Sequence, residues 1–245
     1  MREPGEHLRG AFRRNLERLD RAQSSQRAYW YTAKINRPLA RYVAAASASV
    51  GISADAVTLI SFGLHLVGVL LIATSGMGMA AAVGAYLLLA VAYVLDSADG
   101  QAARLTNTAS RAGEWLDHTV DIVKLVTFHA AIGYHLLGPQ GASFSVQSTF
   151  IVVAVAITSQ ASLFLGQTLY NHMSKSAPPA SRAKSDGGSL SRLALFPLDW
   201  GITVMIVLII PAREPFAVLY PVFTLWLLLA TLAKSVRYYS LLRRI

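Results

Sequence analysis

Six apolar runs dominate the sequence, at about residues 57–76, 79–98, 112–137, 146–170, 195–211 and 216–239. Each is near the roughly 20 residues that carry an α-helix across a bilayer. Inside hydrocarbon every backbone N–H and C=O must be satisfied within the segment, so such runs fold as helices. The pattern predicts an all-α integral membrane protein with six transmembrane helices. Composition agrees, since 54% of the 245 residues are hydrophobic and only 14% are charged, a mix that soluble domains of this size rarely carry. There is no cysteine. Disulfides and thiolate–metal sites are therefore excluded, and any metal must be held by oxygen or imidazole.

The basic residues are distributed unevenly. Ten lie between Arg2 and Arg41; Arg104 and Arg111 fall between the second and third runs; Lys175, Arg182, Lys184 and Arg192 lie between the fourth and fifth; and Lys234, Arg237, Arg243 and Arg244 close the sequence, whereas the alternate loops hold only Arg213. The positive-inside rule places both termini and these two loops in the cytoplasm, as in a multi-pass protein of the inner (cytoplasmic) membrane. The net charge of +9 follows from the same bias. It suits an anionic inner leaflet and does not require a nucleic acid. The first run starts behind a long basic segment, so no cleavable signal peptide is expected.

Two regions follow: a basic cytoplasmic segment over 1–50 and a six-helix membrane domain over 51–245. In the first, Leu8, Phe12, Leu16 and Leu19 recur at helical spacing among arginines, and Leu39, Tyr42 and Val43 repeat the idea. Both read as amphipathic helices on the membrane surface. Pro38 can begin the second of them and Gly51 can end it. Ser53 is placed to cap the first spanning helix, with Asp55 favourable to its dipole and Thr58 one turn inside.

Charge collects in one place, DSADGQAARLTNTASRAGEWLDHTVD, residues 96–121. Asp96 and Asp99 are three apart near the end of the second helix; Gly113, Asp117 and Asp121 are four apart along the third, so each set shares a helix face. Asn107, Thr108 and Ser110 favour a tight turn between them, and the two faces can then meet. An aspartate at the centre of a membrane helix costs about 2.5–3.5 kcal/mol, and four together also repel one another. Bound cations or partial protonation would make the cluster tolerable. Hard divalent cations select carboxylate oxygens, and Mg2+ in particular is held by a few carboxylates together with substrate phosphates. Two such ions (Mg2+, or Mn2+) could polarise a diphosphate for in-line displacement. Gly100 and Gly113 allow a nucleotide or phosphate close to the backbone, and Arg104 adds a planar cation suited to a phosphate oxygen.

Asp96-x2-Asp99-Gly100-x2-Ala103-Arg104, eight residues, then Gly113-x3-Asp117-x3-Asp121 resembles the CDP-alcohol phosphotransferase signature at every defined position. The resemblance implies an Mg-dependent membrane enzyme of phospholipid synthesis. It would transfer a substituted phosphate from a CDP-linked donor to an acceptor alcohol and release CMP at a cytoplasm-facing two-metal site. It also implies that Asp96, Asp99, Asp117 and Asp121 hold the metals, that Asp121 is the general base, and that Gly100, Ala103, Arg104 and Gly113 line the CDP site. Thr58 matches a threonine at the start of the first helix in many members, although the Pro-Asn pair that precedes it there is absent here. Members are typically homodimers.

The donor is read as CDP-diacylglycerol and the acceptor as a small polar alcohol, with inositol phosphate and glycerol phosphate among the candidates. The alternative within the family is a soluble CDP-alcohol donating to a lipid alcohol. An intramembrane prenyltransferase would show more spans and lack the Gly-x2-Ala-Arg insert. In a different class, the aspartates could serve a cation transporter, against which the absence of two pseudo-repeated halves argues. Lys124, one turn beyond Asp121, either pairs with it or helps bind an anionic acceptor. Arg182, Lys184 and Arg192 either read a phosphate on that acceptor or only enforce topology. His65, His129 and His135 are expected to be hydrogen-bonded residues on helix faces.

Overall fold

A computed structural model describes residues 4–21, 29–137, 144–175 and 198–243. All the regular structure among them is helical: α1 (Pro4–Arg21), α2 (Arg37–Val50), α3 (Ala54–Thr74), α4 (Met79–Thr106), α5 (Arg111–Leu137), α6 (Val146–Lys175), α7 (Trp200–Val204) and α8 (Arg213–Leu242). Five of these, α3, α4, α5, α6 and α8, are long and apolar enough to cross a membrane. The chain divides into two compact units, Met1–Lys124 with Phe196–Leu208, and Leu125–Leu195 with Ile209–Ile245.

In the first unit, small residues let three helices approach closely. Ala40 and Ala44 of α2, Val57 of α3, and Ala98 and Ala102 of α4 form one buried cluster, with Leu19 of α1 packed against it. α1 is tied to α2 by Asn15, whose side-chain amide donates to Ser49 Oγ at 3.0 Å, and by the Arg41–Asp20 ion pair at 2.6 Å. Gly51 ends α2 in the left-handed region, φ 77°, where glycine carries no Cβ penalty. Ser53 then caps α3 by accepting from the Ala56 N–H at 3.2 Å. Pro38 stands in the first turn of α2, as expected. The helical run starts at Trp30 and passes through a π-helical turn, Thr32–Asn36, and the wider i→i+5 ladder absorbs the bond that proline cannot donate.

α4 continues well past the expected boundary near 98, carrying Asp96, Asp99, Gly100 and Arg104 on regular helix as far as Thr106. Asn107, at φ 56°, closes it in the left-handed region, and the Thr108 N–H returns to the Ala103 carbonyl at 2.9 Å. Ser110 Oγ accepts from the Gly113 N–H at 3.0 Å and so opens α5.

The apolar run at 195–211 behaves differently from the other five. Among its described residues, Trp200–Val204 form an α-helix capped by Asp199 that tightens to a 3-10 turn, Met205–Ile209. Ten residues fall short of the roughly 20 needed to span hydrocarbon. The fully buried Asp199 carboxylate also accepts from a residue distant in sequence: Thr32 donates to it through its N–H at 2.8 Å and its hydroxyl at 2.7 Å. Thr32 Oγ1 also meets the Tyr93 hydroxyl of α4 at 2.6 Å, and the Asn36 amide donates to the Tyr93 carbonyl at 3.2 Å and to Ser97 Oγ. The segment preceding α2 is thereby fastened to α4 one turn before Asp96. Burial pushes the Tyr31 hydroxyl up to about 12, with Tyr86 and Asp199 adding to the effect, so this ring stays neutral.

In the second unit, the buried His129 ring bridges α6 and α8, with Nδ1 2.9 Å from the Tyr220 hydroxyl and Nε2 2.5 Å from Gln160 Oε1. Further along the same pair of helices, Gln167 Oε1 accepts from Lys234 Nζ at 3.2 Å and from the Tyr238 hydroxyl at 3.0 Å. These polar pairs satisfy groups that apolar surroundings would otherwise penalise.

Gly201 should be the least replaceable glycine of the first unit. A Cβ there would stand 2.1 Å from Tyr31 Cδ1, and that ring is stacked on Tyr93. Gly201→Ala is expected to cost about 1–3 kcal/mol by overpacking, read as a lower thermal unfolding midpoint in detergent. Gly166→Ala, with nothing within 4 Å of the added Cβ, should not lower it.

Candidate functional site

The start of α3, the end of α4 and the start of α5 bring the charged residues of the first unit together. Asp99 of α4 is buried. Its Oδ2 accepts from Thr58 Oγ1 of α3 at 2.6 Å, and its Oδ1 accepts from the Gly100 N–H at 2.5 Å. Two donors on different atoms fix the plane of this carboxylate, as outer-shell partners do for groups that must present an oxygen in one direction.

Carboxylate oxygens of Asp96, Asp99 and Asp117 all lie within 4.8 Å of one another. Asp121 groups instead with Asp117 and His118 within the same limit, and His118 Nδ1 is 3.7 Å from Asp117 Oδ2. Lys124 enters from the next turn of α5. Its ammonium contacts Asp96 Oδ1, lies 3.7 Å from Asp121 Oδ1, and donates to Ser61 Oγ of α3 at 3.0 Å. Ser61 in turn donates to the Ala92 carbonyl at 2.8 Å.

Four carboxylates thus face one ammonium. Two like charges about 5 Å apart repel by about 3 kcal/mol at an effective dielectric of 20, so several such pairs leave a large uncompensated term. The donor set is all oxygen, and oxygens around a single Mg2+ at about 2.1 Å lie no more than about 4.2 Å apart. The triad of Asp96, Asp99 and Asp117 needs little tightening to meet that limit, so these residues fit a small hard divalent cation.

The glycines frame the cluster. At Gly113 an added Cβ would stand 3.2 Å from Asp55 Oδ1 and 3.3 Å from Ser110 Oγ; at Gly100 it would be 3.4 Å from the Arg104 guanidinium. Arg104 therefore folds back over the bare backbone of Gly100, and Ala103 lies beside it on α4. Of the residues singled out from sequence, Asp96, Asp99, Asp117, Asp121, Thr58 and Lys124 converge, while Gly100, Ala103, Arg104 and Gly113 border them. Arg182, Lys184 and Arg192 lie outside the described residues. Ser61 was missed by sequence reasoning. The signal was the polar stripe of Thr58, Ser61 and His65 on one face of an otherwise apolar helix.

A family model described as CDP-alcohol phosphatidyltransferase matches residues 51–236. No curated protein matches the chain.

Thr58→Val keeps the shape of the side chain and removes the hydroxyl that orients Asp99. It is expected to weaken divalent-ion binding by about 10- to 100-fold, the usual cost of losing an outer-shell partner, measured by Mn2+ titration of the purified protein.

Proposed function

The chain belongs to the CDP-alcohol phosphatidyltransferase family, and from that premise we propose that it transfers the phosphatidyl group of CDP-diacylglycerol to a small polar alcohol and releases CMP. The observation that carries this reading is the convergence of three carboxylates beside two helix-borne glycines. That arrangement suits a diphosphate better than an ion pathway, because backbone without side chains admits a bulky phosphorylated ligand.

Asp96, Asp99, Asp117 and Asp121 would hold the divalent cations, Mg2+ or Mn2+. Such an ion, when bound, offsets the charge of the diphosphate and of the departing CMP. The remaining roles fall to the chain itself. Thr58 keeps Asp99 turned toward the site, and the Gly100 and Gly113 backbones leave room for the nucleotide. Arg104, lying over Gly100, offers its N–H groups to a phosphate oxygen. Asp121 takes the proton of the acceptor hydroxyl as its oxygen bonds to the phosphatidyl phosphorus and the bond from that phosphorus to CMP breaks. An inositol or glycerol phosphate acceptor would add an anionic group for Arg182, Lys184 and Arg192 to meet. α1 and α2 would lie on the cytoplasmic membrane surface, with both termini and the aspartates on that side. This topology requires the 195–211 run to complete a crossing together with its neighbours.

Purified protein with CDP-diacylglycerol and Mg2+ should release CMP when inositol phosphate, glycerol phosphate, serine, inositol and glycerol are offered in parallel, and EDTA should abolish the release. Asp121→Asn should lower turnover by roughly a thousandfold, within the range of a lost general base. No CMP with any acceptor would refute the proposed direction, and turnover of CDP-choline with diacylglycerol instead would assign the reverse one. Because the chain has no cysteine, single cysteines report topology directly. Those replacing Arg13 and Ser240 should react with an impermeant thiol reagent from the same side, and one replacing Gln147 from the other.

A further inference from the structure

Resting on the reading of the aspartates as a divalent-cation site, we infer that Asn36 is a positioning residue of that site. It acts through the backbone of α4, and Thr32 and Asp199 hold it in place.

The first support is where the segment before α2 meets α4. Thr32 Oγ1 lies 2.6 Å from the Tyr93 hydroxyl, and the Asn36 amide donates to the Tyr93 carbonyl at 3.2 Å and to Ser97 Oγ. One residue on, the Arg37 carbonyl accepts from the Gln101 amide at 3.4 Å. Tyr93, Ser97 and Gln101 are spaced by four, so they form one stripe along the helix. Asp96 and Asp99 lie within the same stretch of α4. Bonds to the stripe therefore set both the height of their backbone and the rotation of the helix about its axis.

The second is how little movement the site tolerates. Asp99 is fixed from α3 by Thr58, and Asp117 belongs to α5. The carboxylate oxygens that share an ion come from two helices, and such ligand sets must be held to within about 0.5 Å. The contacts that place α4 bear directly on affinity.

The third is that stability alone explains these bonds poorly. Asn36 is fully buried, and its Oδ1 accepts no hydrogen bond from the described residues. A leucine would fill the place without burying an amide. Asp199 is also fully buried, and its donors among the described residues are neutral: the Thr32 N–H and hydroxyl, and the Gly201 N–H. A carboxylate buried on neutral donors costs stability. What the arrangement secures is one placement of Thr32 and, through the short turn Thr32–Asn36, one placement of the Asn36 amide against α4.

The test is Mn2+ affinity, read by the loss of the free-ion EPR signal on the purified full chain in detergent, with folding judged by helical circular dichroism. Asn36→Leu removes the amide and Thr32→Val only the hydroxyl. Each should weaken Mn2+ binding roughly tenfold, the lower end of the loss from outer-shell partners, whereas Thr32→Ser should bind as wild type does. Gln160→Leu, which removes a buried partner of His129 in the second unit, should lower the thermal midpoint and leave Mn2+ affinity unchanged. Wild-type affinity in folded Asn36→Leu would overturn the inference, as would an equal weakening in Gln160→Leu. If Asn36→Leu does not fold, Thr32→Val decides in the same way, and loss of fold in both would make the segment structural only and overturn the inference as well. No Mn2+ on the wild type would refute the metal-site reading itself and the inference with it.

Discussion

Uncompensated negative charge in a membrane-spanning bundle is the constraint on which the rest of the arrangement depends. Four aspartates can gather at the end of two apolar helices only where cations or partial protonation offset their charge. The chain supplies one cation from its own sequence, Lys124, and leaves a triad of carboxylates close enough together that they could hold another. The neighbouring choices follow from that. α4 stays helical through Asp99 and Gly100, which puts its aspartates in register with those of α5. Thr58 and the Gly100 N–H fix Asp99, and Ser61 fixes the lysine. The alanines at the α2, α3 and α4 contacts bring the backbones close enough for these short side chains to reach across.

Much of this was legible in the sequence, because the features concerned are periodic and local. Apolar length pointed to six spanning helices, of which five are long and apolar enough to cross a membrane, and the i,i+3 and i,i+4 spacing of aspartates gave two charged faces. Ser53, Gly51, Asn107 and Ser110 announced the helix ends through side-chain and backbone preferences that act within a few residues. The motif from Asp96 to Asp121 was specific enough to indicate the family before any geometry was known. The start of the short helix within the 195–211 run was also written locally, in Asp199 as its cap, but mean apolarity masked that signal.

What sequence could not show was long-range polar pairing. The contact of Asp199 with Thr32 joins residues 167 positions apart, and no periodicity marks either of them. The π-helical turn before Pro38 carries Thr32 and Asn36, which are tied to Asp199, Tyr93 and Ser97. For Lys124, spacing allowed the pairing with Asp121, whereas the closer contact with Asp96 depends on how α4 meets α5. These pairings give the first unit its precision: the segment before α2 is bonded to Tyr93 and Ser97, on either side of Asp96 along α4. The aspartate-bearing stretch of that helix is therefore fastened to the segment before α2.

The central claim is that this carboxylate cluster presents a divalent cation to the diphosphate of a CDP-linked substrate. Calorimetric titration of CDP into the purified chain, with and without Mg2+, tests it most directly. The account predicts binding that requires Mg2+ and disappears in Asp96→Asn and Asp99→Asn. Equal CDP affinity in Mg2+ and in EDTA, with those aspartates dispensable, would contradict it.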